Sequence, residues 1–372
     1  MKRKHILFVL IVLTLIVFYR NTYAYSKELN NKAYEYPVTV YSPEWRNMHS
    51  VEERREACSI PLETLQLMTT DALIETIINY PFFPDIYAYD SLQHGFYALS
   101  CYFDGVEVLK NRNDVLISLE QYYSEHKDIY TDTDIKKYNL ESLIYYFSHR
   151  EKIKKYHYLI FKSNKLIGYS ETLRDGIDFY NVNDPCIDWP VGNAIYTPNG
   201  TEIPLIWIDK EIYYTEYIYD NTIDCKSQNR FYGMTWTSHN TSLTAQNAAM
   251  YYFLNAYPST ELIASVNPSY NCHSYAWYSQ STSNNYWINE PYVYIDDGSY
   301  SITYNNISAG NKVCYIYIPW AYYLEHSGIV VSPANGTIPM RVISKWGYNG
   351  LFTHDLNDCP YVKTDTGIVF YN

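Results

Sequence analysis

Near residue 150 the spacing of apolar residues changes period, and that change confines the chain to a fold mixing helices with sheet. Before it, apolar residues recur three and four apart. In "SIPLETLQLM", Ser59 is a candidate cap and Pro61 suits a first turn. In "TTDALIETIINYP", Thr70 is the expected N-cap, Leu73, Ile74, Ile77 and Ile78 share one face, and Pro81 stops the helix. Two more stripes follow, Leu92, Phe96, Leu99 and Phe103, then Leu140, Leu143, Ile144 and Phe147. Residues 25–150 are therefore expected to form a helical bundle. His94, His126 and His149 stand among polar positions with no partner at ligand spacing, and Cys58 and Cys101 read as small buried hydrophobes. Nothing in this half suggests catalysis, so docking or spacing is its expected role.

After residue 150 the period becomes two. "YHYLIF", "NKLIGYS", "NAIYTPNGTEIPLIWI" and "EIYYTEYIY" are runs of β-branched and aromatic residues, with Asn199-Gly200 marking a hairpin turn. Residues 151–227 are thus expected to be β-rich. From 228 to 372 the pattern is mixed: an amphipathic helix, "LTAQNAAMYYFLNAYP", with Ala249, Tyr252, Phe253 and Ala256 on one face, and three strand-like segments, "KVCYIYI", "HSGIVV" and "RVISKWG". This last unit should pack one helix on a small antiparallel sheet, and should fold alone as residues 228–372. The fold class expected for the whole chain is α+β.

The N-terminus bears on location rather than fold. "MKRKH" is a basic leader and Ile6 to Tyr19 an apolar run of 14 residues, short for a membrane span. Thr22 and Ala24 fit the small-residue positions of a signal-peptidase site. Residues 1–24 are read as a signal peptide, with an uncleaved anchor as the alternative; either way the body is expected to be secreted or displayed at the cell surface. Removing them takes the basic count from 28 to 24 against 40 acidic residues, a net charge of −16. Such a surface is a poor match for phosphates, so nucleic acid is not an expected partner. The 45 tyrosines carry little functional information.

Seven cysteines are an odd number, so at least one thiol is unpaired. Cys186 and Cys225 flank the β-rich segment and are a possible pair. No CxxC occurs, and the adjacent Cys272 and His273 cannot easily both bind one tetrahedral zinc, so neither metal nor other cofactor is expected.

Cys272 lies in "SYNCHSYAWYSQ", where Pro268 and Ser269 end a loop and an aromatic helix begins. A thiol in a first helical turn meets unpaired backbone N–H groups that favour its thiolate. A catalytic thiol also needs a base, and His326, heading "HSGIVV" at a strand edge, is the candidate. His273 is the rival, although it points about 100° away around the helix. A third group accepting from the imidazole should lie on the following strand. Ser344 fits, with His354 in reserve, while Lys345, a donor when charged, suits substrate contact. The Cys272 backbone N–H with Tyr270 or Asn271 would hold an oxyanion. Cys314 and Cys359 read as structural, and Trp346 and Gly347 as packing and a tight turn.

A helix-borne Cys, the turn and strand "ISAGNKVCYI", and then His-x-Gly-Ile in "HSGIVV" resemble the NlpC-type and CHAP-type amidases of the papain-like cysteine peptidase superfamily, with Gly310, His326, Gly328 and Ile329 in step. The sequence departs from that pattern at Asn271 and Asn311, where those families often have Asp. The resemblance covers residues 243–372. It implies a papain-like domain acting as an exported cysteine amidase or peptidase, with Cys272 as nucleophile, His326 as base and cell-wall peptide as substrate. The departures leave a second reading, an extracellular binding or adhesion protein that keeps the fold without turnover.

Overall fold

The computed structural model describes residues 30–90, 92–131, 133–149, 158–162, 165–170, 180–181, 195–203, 205–208, 229–230, 235–236, 242–288, 291–317 and 323–372. The leader at 1–24, the Cys186 and Cys225 pair and "EIYYTEYIY" lie outside these residues. What is described is a mixed α+β fold.

The first half is helical: α1 Pro43–Asn47, α2 Val51–Ala57, α3 Leu62–Leu67, α4 Thr70–Ile78, a 3-10 turn Phe83–Ala88, α5 Leu92–Ser100, α6 Gly105–Lys110, α7 Val115–His126 and α8 Ile135–His149. The α4 stripe is buried as its spacing requires: Leu73, Ile74 and Ile77 are sealed from solvent, each burial stabilising by about 1.5–3 kcal/mol. The cap is Thr69 rather than Thr70. Thr69 is extended and accepts from the Ala72 N–H, whereas Thr70 is already helical and its hydroxyl donates to Asp114 at 2.8 Å. Ser59 does not cap α3 either; Pro61 occupies that position, and the Ser59 N–H closes the end of α2 on Glu56. Cys101 lies just beyond α5 and is exposed, contrary to the buried role expected, because the apolar stripe has turned away at that point.

In the middle segment β1 Tyr158–Lys162, β2 Lys165–Ser170, β3 Tyr180–Asn181 and β6 Leu205–Ile208 form a sheet of order β3-β2-β1-β6. A separate hairpin joins β4 Ile195–Tyr196 to β5 Glu202–Ile203 through Gly200, whose φ of +83° suits a residue without Cβ. A further short pair joins β7 Asn229–Arg230 to β8 Thr235–Trp236.

Helix α9 Leu243–Ala256, capped by the Ser242 hydroxyl on the Ala245 N–H at 3.1 Å, leads into the principal sheet. That sheet has seven antiparallel strands, more than the three segments legible in the sequence: β9 Glu261–Ala264, β10 Ile302–Thr303, β11 Lys312–Tyr317, β12 Tyr323–Ser332, β13 Arg341–Lys345, β14 Leu351–Asp355 and β15 Thr366–Tyr371, in the order β10-β15-β11-β12-β13-β14-β9. Helix α10, Tyr292–Asp296, lies between β9 and β10 in the chain.

Alternation sends neighbouring side chains to opposite faces of this sheet. Val313, Tyr315, Val330, Val342 and Phe352 join a core shared with α9 and the N-terminal helices. Cys314, Ile316, Leu324 and Ile329 pack instead on Tyr270, Ala276, Trp277 and Tyr294. The helical half is therefore a cover for one sheet face. Buried polar contacts fasten it: the Trp45 indole donates to the Ala256 carbonyl at 3.0 Å, Tyr257 donates to Asp85 at 2.7 Å, and Arg54 pairs with Asp358.

Candidate functional site

Cys272 opens a short helix, as its sequence context requires. The Asn271 side-chain oxygen accepts from the Ser274 N–H at 3.0 Å and its backbone carbonyl from the Tyr275 N–H at 3.0 Å, which caps the turn; Ser274–Tyr278 continue as a π-helical turn. Asn271 is sealed in and its amide also bonds both backbone groups of Ile288. These bonds give Asn271 a capping role that leaves its side-chain amide engaged.

The helix lies against the face of β12 to which Ser327 points. The Ser327 hydroxyl lies 2.9 Å from His273 Nδ1 and accepts from the Trp277 indole at 2.9 Å. His326, one residue earlier, faces the other way and stacks on Tyr361, with ring centroids 3.5 Å apart. Among the described residues neither of its ring nitrogens has a hydrogen-bond partner, so no hydrogen bond links His326 to Cys272. The expected position at a strand edge is corrected as well. β12 begins at Tyr323, and His326 is paired opposite Tyr315 in the middle of the sheet.

Ser344 does not serve His326. Its hydroxyl is 2.8 Å from His354 Nε2 and accepts from the Trp346 indole at 3.0 Å. The His354 Nδ1–H donates to the Asp355 carbonyl at 2.8 Å, which leaves Nε2 to accept from Ser344. Lys345 is fully buried, so it is not placed for contact with a substrate from solvent. Its ammonium nitrogen donates to the carbonyls of Gly347 at 2.7 Å and Asn349 at 2.5 Å, and lies 5.3 Å from the centre of the Tyr270 ring. Tyr270 is sealed in, with no partner for its hydroxyl among the described residues.

Asp90, from the helical half, is the residue that sequence reasoning missed. It reaches the site because the 346–350 turn docks on 88–90. A Cβ on Gly347, whose φ is +48°, would lie 2.7 Å from the Ala88 carbonyl oxygen, and the Tyr348 hydroxyl donates to the Asp90 carbonyl at 2.8 Å. Asn349 ties the same turn to Gln246 of α9 at 2.9 Å. Burial raises the Asp90 titration, and His94, Asn271 and Lys345 act the other way. An acid just ahead of a helix reads in sequence as a cap, so no local signal pairs it with a cysteine far along the chain.

Electrostatically the site is a buried cluster of ionisable groups. Burial pushes the Cys272 thiol well above its usual range and Asp90 adds to this; backbone N–H groups of Ser327 and His273, and the Lys345 charge, act the other way. Burial takes His273 down to about 3 and His354 to about 4, and with those two neighbours holds His326 well below the usual imidazole range. All three are neutral at pH 7. Burial brings Lys345 down to about 7, opposed by Asp90 and Cys272. Among the described residues no group of three or more His, Cys, Asp or Glu side chains is arranged to hold a metal, and no helix is long and apolar enough to cross a membrane. A groove of about 800 Å³ lies elsewhere, between residues 31–41 and α4, α8 and α9, and contains none of these site residues.

Comparison with protein-family models, with curated proteins and with solved structures finds no match for this chain.

Proposed function

We propose that the C-terminal unit is a papain-like cysteine amidase or peptidase, exported to the cell surface or beyond, with Cys272 as its nucleophile and peptide, including cell-wall peptide, as its substrate. The observation that carries this reading is a buried thiol in a first helical turn on which Asp90, Lys345 and the backbone N–H groups of Ser327 and His273 act electrostatically. Buried groups with displaced titrations concentrate where chemistry is done. The thiolate attacks the amide carbonyl carbon, the C–N bond breaks, and the departing amine takes a proton. Water then cleaves the thioester, giving the acid and the restored thiol. The resemblance in "HSGIVV" assigns proton transfer to His326, which is neutral and so in the protonation state a base requires.

The second reading, a binding or adhesion protein with the same fold, is favoured by one observation: the thiol is only 3% exposed and burial disfavours its ionisation. The test is incubation of the full chain with purified cell-wall peptide, counting new amino groups with an amine-reactive fluorophore. Release that disappears in Cys272→Ala supports the hydrolase; release equal in both proteins, or absent from both, supports the binding protein.

A further inference from the structure

We propose that the groove between residues 31–41 and helices α4, α8 and α9 is a carbohydrate site, taking an oligosaccharide of pyranose units whose ring C–H bonds form a flat apolar face. Its lining includes none of the groups around Cys272, so the proposal stands whether or not that thiol is a nucleophile.

Helical periodicity builds the walls. On α9, Ala248, Tyr251, Tyr252 and Asn255 lie three and four apart, on a side of the helix beside the buried stripe of Ala249, Phe253 and Ala256. Asn79 closes the end of α4, and Asn139 comes from α8. The enclosed volume of about 800 Å³ falls within the range of about 300–1,000 Å³ that small-ligand sites occupy.

Tyrosine is abundant throughout this chain, so the arrangement of the rings, rather than their number, points to a ligand. Tyr252 is held by its hydroxyl on the Pro81 carbonyl at 2.8 Å, and Tyr36 by its hydroxyl on the Thr76 carbonyl at 3.0 Å. Two further rings stand edge-on to these fixed ones, Tyr34 against Tyr36 with centroids 5.2 Å apart and Tyr41 against Tyr252 at 6.4 Å. Tyr41 is 68% exposed and Tyr251 64%, so both offer ring surface along the groove. Such rings cover the apolar face of a ligand at little conformational cost.

The polar groups select the ligand. Asn139 is only 1% exposed; its amide N–H donates to the Ile78 carbonyl at 3.0 Å, while its side-chain oxygen has no partner among the described residues. The side-chain oxygen of Asn79 is likewise buried and unpartnered among them. The carboxylates of Glu35, Glu75 and Asp134 outnumber the ammonium groups of Lys32 and Lys136 in the lining. The groove is therefore rich in acceptors, and its best match combines apolar faces with many O–H donors. A sugar has both, and each hydroxyl can donate to an amide or carboxylate oxygen. A proline-rich peptide, which also suits aromatic grooves, brings carbonyls and few N–H groups and would leave the two amide oxygens unpaired.

The experiment is isothermal titration calorimetry of the full chain with cellotetraose and with chitotetraose, for wild type, Tyr41→Ala, Tyr251→Ala, Tyr304→Ala and Cys272→Ala. At least one tetrasaccharide should bind wild type at millimolar concentration or below, and which one binds tells whether hydroxyl or acetamido substituents are preferred. Tyr41→Ala and Tyr251→Ala alter exposed side chains and should keep the fold, and each should weaken binding by about tenfold. Tyr304→Ala, at an exposed ring outside the groove, and Cys272→Ala should bind as wild type does. Absence of binding to wild type, or binding undiminished in both groove variants, overturns the proposal. So does loss in Cys272→Ala with the groove variants unaffected, which would put the sugar at the thiol. Binding of a polyproline peptide that Tyr251→Ala abolishes, with neither tetrasaccharide bound, overturns it in favour of a peptide groove.

Discussion

His326 and Ser327 are neighbours on β12 that face opposite sides of the sheet, the serine bonded to His273 and Trp277 and the histidine stacked on Tyr361. This leaves two imidazole nitrogens buried without partners among the described residues, each an uncompensated desolvation of about 1–3 kcal/mol. His326→Phe keeps the stack and removes both nitrogens. The urea midpoint should rise, by the equivalent of about 1–2 kcal/mol. A fall in the midpoint would show that those nitrogens have partners in solution.

Three buried neutral histidines make stability depend on pH. His273, His326 and His354 all have folded titrations below the ordinary imidazole value, so between that value and their own the unfolded chain binds more protons. The stabilisation is present above about pH 6.5 and is lost as pH falls below it, at about 1.4 kcal/mol per pH unit for each histidine. Urea midpoints measured from pH 7.5 to 5 should therefore fall steadily, and His354→Gln should flatten the slope. A pH-independent midpoint across that range contradicts the burial described.

The Arg54–Asp358 pair joins α2 to the chain after β14, with both side chains largely buried. Asp358 also accepts from the Ser259 backbone N–H at 3.0 Å. Asp358→Ala leaves the guanidinium unpaired in the core, and should cost about 3–5 kcal/mol by urea denaturation. A loss below 1 kcal/mol would mean that water reaches Arg54.

One core runs through the helical half, α9 and one face of the principal sheet. The sequence presents separate amphipathic faces and so suggests that 228–372 folds alone; the shared core argues for the opposite outcome. That fragment should expose the face bearing Val313, Val330, Val342 and Phe352, bind a hydrophobic dye and unfold without a cooperative transition. A sharp transition in the isolated fragment would mean that this face is covered without the helices.

Much of the secondary structure was legible because it is local. The α4 and α5 stripes, the Asn199-Gly200 hairpin and the strands holding Cys314, His326 and Ser344 follow from period and turn chemistry. The strands β9, β14 and β15 were not separated from loops, since short or half-exposed edges carry weak alternation. At the site, the first-turn placement of Cys272 follows from its own segment. The partners of Ser344, His326 and Lys345 do not, because each is decided by which sheet face a residue takes and what packs there. "HSGIVV" fixes that His326 and Ser327 alternate, but the face that receives the cysteine helix is set by Tyr361, Trp277 and Asp90, three segments distant in sequence.

The most direct measurement of the central claim uses the chain's own exposed thiol as its standard. Cys101 is exposed and Cys272 is buried, so packing alone would make Cys101 react first. Native protein should be treated with iodoacetamide at pH 7.5, and the alkylation rates of the two cysteines compared by peptide mass spectrometry. If Cys272 is the nucleophile of a cysteine amidase or peptidase, it should alkylate at least as fast as Cys101. Alkylation of Cys101 with Cys272 untouched until the protein is unfolded would contradict the account and leave Cys272 a structural thiol.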